Sequence, residues 1–270
     1  MTLTPNTDTD MTPRIHRCTN RAQCAQLIAT RVLRLAADAV ERRGRFTLAV
    51  SGGSVSEIVG EALVSESARS AVWDAWHVFW VDERCVPSTH ADSNFGAAER
   101  SWLSGTPIPR EQIHPMDGER KPKTAARAYE SVLAEAASTH TEQEAPRLDL
   151  ILLGIGEDGH IASLFPGHTA LNEHNRWATT VADAPKPPQA RITLTLPVLN
   201  HARHIAFIAV GSDKAAIVRR VLEPETKQQP PVPAQLIDAD RVDVEWYLDS
   251  EAARELRRTY IRTITPGAPS

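Results

Sequence analysis

Residues 148–160 read LDLILLGIGEDGH. A short apolar run from Leu148 to Leu153, broken only by Asp149, gives way to Gly154, Gly156 and Gly159, with Glu157, Asp158 and His160 set among them. A run of that length bounded by glycine reads as a strand buried on both faces, the kind a parallel sheet uses. In open parallel sheets, ligands bind beyond the carboxyl ends of the strands. Histidine is the side chain best placed to exchange protons near neutral pH. Asp158, two residues earlier, is close enough to orient the imidazole. The glycines let a substrate lie directly against backbone.

The same alternation extends in both directions. Upstream, Asn20 caps a predicted helix that runs to Arg43 and stops at Gly44. Leu27, Ile28, Val32, Leu35, Ala36, Ala39 and Val40 line one face of it. FTLAV (46–50) is a strand, SGGS (51–54) a turn, and Val55–Val64 a helix. HVFWV (77–81) is a strand ending in DER (82–84), followed by helices over Asn94–Leu103 and Ala125–Ala137. Downstream, WATTVA (177–182) and RITLT (191–195) are strands around a proline-rich connection. HIAFIAVG (204–211) is a strand leading to a helix from Ser212, and VDVEWYL (242–248) is a strand after which Asp249 caps a final helix. Short apolar strands alternating with helices predict a three-layer α/β fold, with a mostly parallel, Rossmann-like sheet between helices on both faces. Residues 1–13 read as a disordered leader and 14–265 as a single α/β domain, with the polar stretch 138–147 as a loop.

Composition excludes several classes. The 270 residues carry a net charge of −4 and 41 % hydrophobic residues. That is enough apolar material for a core and no basic excess for nucleic acid. No uncharged apolar run reaches the roughly 20 residues of a membrane helix, and the polar N-terminus is not a secretory signal. Cys18, Cys24 and Cys85 are odd in number and form no CxxC pair. They read as reduced thiols of a cytoplasmic protein.

Three strand ends carry chemistry-bearing residues. At SGGS, glycines before a helix let backbone N–H groups approach an anion, so Ser51, Gly52, Gly53 and Ser54 are candidate phosphate ligands. The turn is neither a Walker A loop nor GxGxxG, and an ordinary tight turn is the alternative. In DER, Arg84 offers a planar donor fork for phosphate or an oxyanion. Asp82 is placed to fix that arginine or a substrate hydroxyl, and a surface ion cluster is the alternative. Lys186, between prolines, and Arg191, at the start of a strand, are cations able to reach a phosphate from the side opposite SGGS, or are simply a solvated basic loop. His160 and His168, eight residues apart across Pro166-Gly167, are not a recognised metal-ligand pattern, and no GxSxG elbow is present.

SGGS, FWVDERCVP (79–87), SNFGAAER (93–100), GIGEDGHIASLFPG (154–167) and PKPPQARITLTLPVLN (185–200), in this order, resemble the 6-phosphogluconolactonase branch of the glucosamine-6-phosphate isomerase/6-phosphogluconolactonase family. The deaminase branch typically continues its GxGxDGH element with an IAFNEPG-like segment where this chain has IASLFPG. Cys85 stands where a tyrosine is often seen, and Ser51 where many members have threonine.

The resemblance implies the deaminase/lactonase-like fold and hydrolysis of 6-phospho-D-glucono-1,5-lactone to 6-phosphogluconate. That is the second step of the oxidative pentose phosphate pathway, which supplies NADPH. It implies a cytoplasmic enzyme with no metal or organic cofactor and a small phosphorylated lactone as its partner, with no nucleic acid or membrane. The oligomeric state is not readable from the sequence, with a monomer the favoured reading. His160 would activate water, Asp158 would hold the imidazole, and Arg84 is the candidate for the oxyanion. Ser51 to Ser54, Asp82, Lys186 and Arg191 would bind the substrate and its phosphate. Deamination of glucosamine 6-phosphate and non-enzymatic sugar-phosphate sensing are the rival readings.

Overall fold

Seven parallel strands in the order β1-β10-β9-β6-β2-β3-β5 form the central sheet of the computed structural model. Residues 13–64, 71–136, 144–224 and 229–257 are described. The strands are β1 (Arg14–Arg17), β2 (Phe46–Val50), β3 (Trp76–Trp80), β5 (Ile113–His114), β6 (Leu150–Leu153), β9 (His204–Ala209) and β10 (Asp243–Leu248). The three strands whose ends carry the candidate residues lie side by side, with β6 and β3 flanking β2. Their C-terminal ends therefore share one edge.

Strand alternation divides the core in two. On one face, Phe46, Leu48 and Val50 of β2 and Trp76, Val78 and Trp80 of β3 pack with α1 (Arg21–Arg43), α2 (Ser54–Leu63) and α3 (Asn94–Ser101). On the other, Ala49, Phe79, Ile151 and Phe207 meet α4 (Pro122–Ala136), the single turn α5 (Leu196–Leu199) and α6 (Ala215–Leu222). The three-layer expectation holds. Asn20 caps α1 by accepting from the Gln23 N–H at 2.9 Å, and Gly44 ends it at φ 73°. Only a residue at ease in the left-handed region closes a helix this way.

Three readings need correction. The strands expected at 177–182 and 191–195 form as β7 (Ala178–Val181) and β8 (Arg191–Leu194), but outside the parallel sheet. They join β4 (Asp82–Arg84) in a separate antiparallel sheet of order β4-β8-β7. Residues 82–84 are thus a strand of their own rather than the tail of β3. The helix expected after Asp249 does not form through residue 257, which lies in turns. Asp249 caps a turn instead, accepting from the Ala252 N–H at 2.8 Å, and its carboxylate also holds the Gly211 N–H at 3.1 Å. The edge strands β1 and β5 had no clear signal, being four and two residues long. The leader over 1–12, residues 138–143 of the expected loop and the stretch beyond 257 lie outside the described residues.

Candidate active site

The loop after β6 is folded around its histidine. The Gly156 N–H donates to the His160 carbonyl at 2.9 Å, and the Gly159 N–H to the Gly156 carbonyl at 2.9 Å. Gly159 sits at φ 86°. Inside this tight turn, His160 Nδ1 lies 2.5 Å from Asp158 Oδ1, which also accepts the His160 backbone N–H at 3.2 Å. A carboxylate on Nδ1 makes that nitrogen the protonated one and leaves the Nε2 lone pair free to act as a base. Burial alone would raise the Asp158 carboxyl, but the His160 hydrogen bonds outweigh it and hold it below the usual range. The imidazole is 28 % exposed, open to the cavity rather than sealed in the core. The Phe165 ring braces it, with centroids 4.6 Å apart. A side chain at Gly156 would collide with the dyad, its Cβ 2.0 Å from His160 Nδ1.

In β4 the three residues of DER separate by function. Glu83 is buried and turned away from the cavity, accepting the N–H groups of Asn94 and Phe95 at 2.7 and 2.8 Å at the start of α3. Burial pushes its carboxyl up in spite of these bonds. Asp82, only 5 % exposed, accepts from Ser163 Oγ at 2.6 Å and Asn94 Nδ2 at 3.3 Å. Asn94 fits because Gly52 has no side chain, since a Cβ there would lie 1.8 Å from Asn94 Oδ1. The SGGS turn, β4 and α3 are thereby interlocked.

Arg84 and Arg191 face each other across the β4–β8 ladder. Like charges placed directly opposite are destabilising unless something anionic joins them. Arg191 donates to the Pro188 and Lys186 carbonyls at 3.0 and 2.8 Å, wrapping the Lys186 loop around its guanidinium. It lies over the Phe165 ring at 5.7 Å. Burial, and then the opposing Arg84, press the Arg191 pKa downward. Arg84 Nη1 donates to the Asp92 carbonyl at 3.0 Å, while its buried Nε has no partner. Ser51 Oγ is also buried and unpartnered. Gly53, φ 63°, is the N-cap of α2, which has no side-chain cap.

One cavity of about 620 Å³ gathers all ten candidate residues: Ser51, Gly52, Gly53, Ser54, Asp82, Arg84, Asp158, His160, Lys186 and Arg191. It also reaches residues that the sequence reading left unassigned, among them Asn94, Phe165 and Lys214. Lys214 had a usable signal, following Gly211 just beyond the end of β9 as the other loops follow their strands. Asn94 had only its place in SNFGAAER. His168 accepts from the Ala170 N–H at 3.0 Å and bonds Asp183 at 2.9 Å. Among the described residues, no three His, Cys, Asp or Glu side chains converge as metal ligands, and no helix is long and apolar enough to cross a membrane.

Known proteins carry the same architecture. The profile of the glucosamine-6-phosphate isomerases/6-phosphogluconolactonase family matches residues 19–246. The chain is 40 % identical over 238 residues to 6-phosphogluconolactonase of Rattus norvegicus, covering 87 % of this chain and 89 % of that one. It is 40 % identical over 221 residues to the chloroplastic 6-phosphogluconolactonase 3 of Arabidopsis thaliana, covering 80 % of this chain and 67 % of that one. The structure of 6-phosphogluconolactonase from Trypanosoma cruzi superposes with a TM-score of 0.76 at 28 % identity, covering 91 % of this chain and 97 % of that one. Matched over most of its length by this profile and by these relatives, the chain belongs to the glucosamine-6-phosphate isomerase/6-phosphogluconolactonase family.

Proposed function

We propose that the protein hydrolyses 6-phospho-D-glucono-1,5-lactone to 6-phosphogluconate, with His160 as the group that activates water. One observation carries this: the His160–Asp158 pair opens into the same cavity as the 51–54 turn and the cations Lys186, Arg191 and Lys214. A phosphorylated ring ester needs a base at one end and an anion anchor at the other. The lactonases among its relatives support the choice of substrate.

In the proposed sequence, His160 Nε2 takes a proton from water as its oxygen bonds to C1. Negative charge gathers on the carbonyl oxygen, where the free N–H groups of Arg84 stabilise it. As the bond between C1 and the ring oxygen breaks, the imidazolium returns the proton to that oxygen. One residue is base and then acid, an effect worth about 10²–10⁴-fold. Asp158 holds the ring and stabilises its charged form. The phosphate binds at the α2 N-terminus, Ser51 to Ser54, with Lys186, Arg191 and Lys214 around it. Asp82, held by Ser163 and Asn94, supplies a fixed acceptor for a substrate hydroxyl. Because the lactone hydrolyses unaided, the enzyme's contribution is mainly placement of C1 against a poised water. The reaction needs no cofactor, and we place it in the cytoplasm as a monomer's activity, feeding a pathway that supplies NADPH.

Incubation with freshly generated 6-phosphogluconolactone and, separately, with glucosamine 6-phosphate decides between the branches of the family. Lactone loss well above the spontaneous rate, with no ammonia from the amino sugar, is the expected result. Ammonia release without accelerated lactone loss overturns the proposal.

A further inference from the structure

The loop that carries Lys186 and Arg191 is tied to the loop that carries His160 at two points. One is Phe165, which touches the His160 ring and the Arg191 guanidinium. The other lies outside the cavity. His168 ends the segment that begins at His160, and Asp183 begins the connection between β7 and β8. Their side chains meet at 2.9 Å. The bond has a fixed polarity. His168 Nδ1 accepts the Ala170 N–H at 3.0 Å, so Nε2 carries the hydrogen and donates it to Asp183. His168 is mostly covered, while Asp183 is 78 % exposed. An exposed aspartate held by a covered histidine has no evident part in the core. It lies three residues before Lys186, on a connection whose inner end is already wound around Arg191.

We propose that His168 is a positioning residue: through Asp183 it latches the 183–191 loop, and so the spacing between the phosphate-binding cations and His160. This rests on the reading of Lys186 and Arg191 as the phosphate anchor. The latch acts on where the substrate's anionic end is held and leaves the chemistry at C1 alone. Its signature is a split between KM and kcat.

The test uses the full-length protein with Asp183→Ala, Asp183→Asn and His168→Ala. Asp183→Ala should raise KM for the phosphorylated lactone about 3–10-fold, with kcat within about twofold of wild type. Asp183→Asn keeps an oxygen to accept from His168 Nε2 and should restore KM. His168→Ala should raise KM at least as much as Asp183→Ala, since it also removes the acceptor of the Ala170 N–H, and the double variant should be no worse than His168→Ala, which already lacks the shared bond. An unchanged KM in Asp183→Ala, a loss confined to kcat, or failure of asparagine to rescue overturns the latch. Wild-type turnover reports separately on the proposed reaction. Were the wild type inactive on lactone, the Kd for inorganic phosphate in Asp183→Ala against wild type would still decide the latch, with the same 3–10-fold weakening expected and an equal Kd refuting it.

Discussion

Gly156→Ala removes no reacting group, yet it should cost most of the activity. An alanine Cβ at this position would stand 2.0 Å from His160 Nδ1, 2.2 Å from its Cε1 and 2.6 Å from Asp158 Oδ1. Reaching ordinary contact at 3.4 Å obliges the ring to retreat by about 1.4 Å, and the Asp158 carboxylate to move with it. Misplacing a reacting group by about 1 Å can cost about 10²-fold, so kcat should fall by about two orders of magnitude, near 2.7 kcal/mol in the barrier. Gly156 is not in the left-handed region, so an alanine backbone fits there without strain. The phosphate anchor is untouched, and KM should stay within about threefold. The assay follows proton release on lactone opening, with spontaneous hydrolysis subtracted, and a thermal melt verifies the fold. A folded Gly156→Ala enzyme retaining more than about a third of wild-type kcat would refute the argument that the dyad's geometry sets the rate.

Other consequences follow from named contacts. Lys186→Ala should raise KM with little change in kcat, whereas Arg191→Ala should raise KM and also lower Tm, because Arg191 holds the Pro188 and Lys186 carbonyls; equal effects in kinetics and melting would contradict that division. Gly52→Ala should destabilise the protein by about 1–3 kcal/mol, as overpacking does, and Asn94→Ala in the same chain should recover part of the loss by removing the side chain it strikes; additive losses would count against the clash. On the neighbouring strands β3 and β5, His77 Nδ1 and His114 Nε2 share one hydrogen bond at 3.1 Å with ring planes 1° apart. Burial, then the neighbouring His77, push His114 down to about 4 from 6.5. Unfolding therefore takes up a proton between those values, and stability falls as pH drops from about 6.5 toward 4, by about 1–2 kcal/mol after allowing for solvent screening. A His114→Gln variant should show a flatter Tm–pH curve across that window, and an unchanged slope would exclude His114 as its source.

The sheet was legible because its strands announce themselves. FTLAV, HVFWV and LDLILL are short apolar runs closed by glycine or charge, and that pattern survives without knowledge of neighbours. Ser51 to Ser54, Asp158 and His160 were legible too, since strand-end loops of a parallel sheet must converge, whereas Asp82, Arg84, Lys186 and Arg191 reach the same cavity through the antiparallel sheet. The β4–β8–β7 sheet was not legible. DER carries no apolar alternation, and what makes it a strand is the distant β8 ladder opposite it. Only pairing reveals that Arg84 faces Arg191. Asp249 misled for a related reason: a capping aspartate looks the same before a helix or before a turn, and here its carboxylate also reaches Gly211, far along the chain. Asn94 reaches the cavity through packing against the 51–54 turn, which its own stretch of sequence does not announce.

The most direct test of the central claim is lactone turnover by His160→Ala, measured beside the wild type with the spontaneous rate subtracted. We expect the folded variant to lose about 10²–10⁴-fold in kcat while still binding the phosphorylated product. A variant that opens the lactone at close to the wild-type rate would show that His160 is not the base and that the site must be assigned anew.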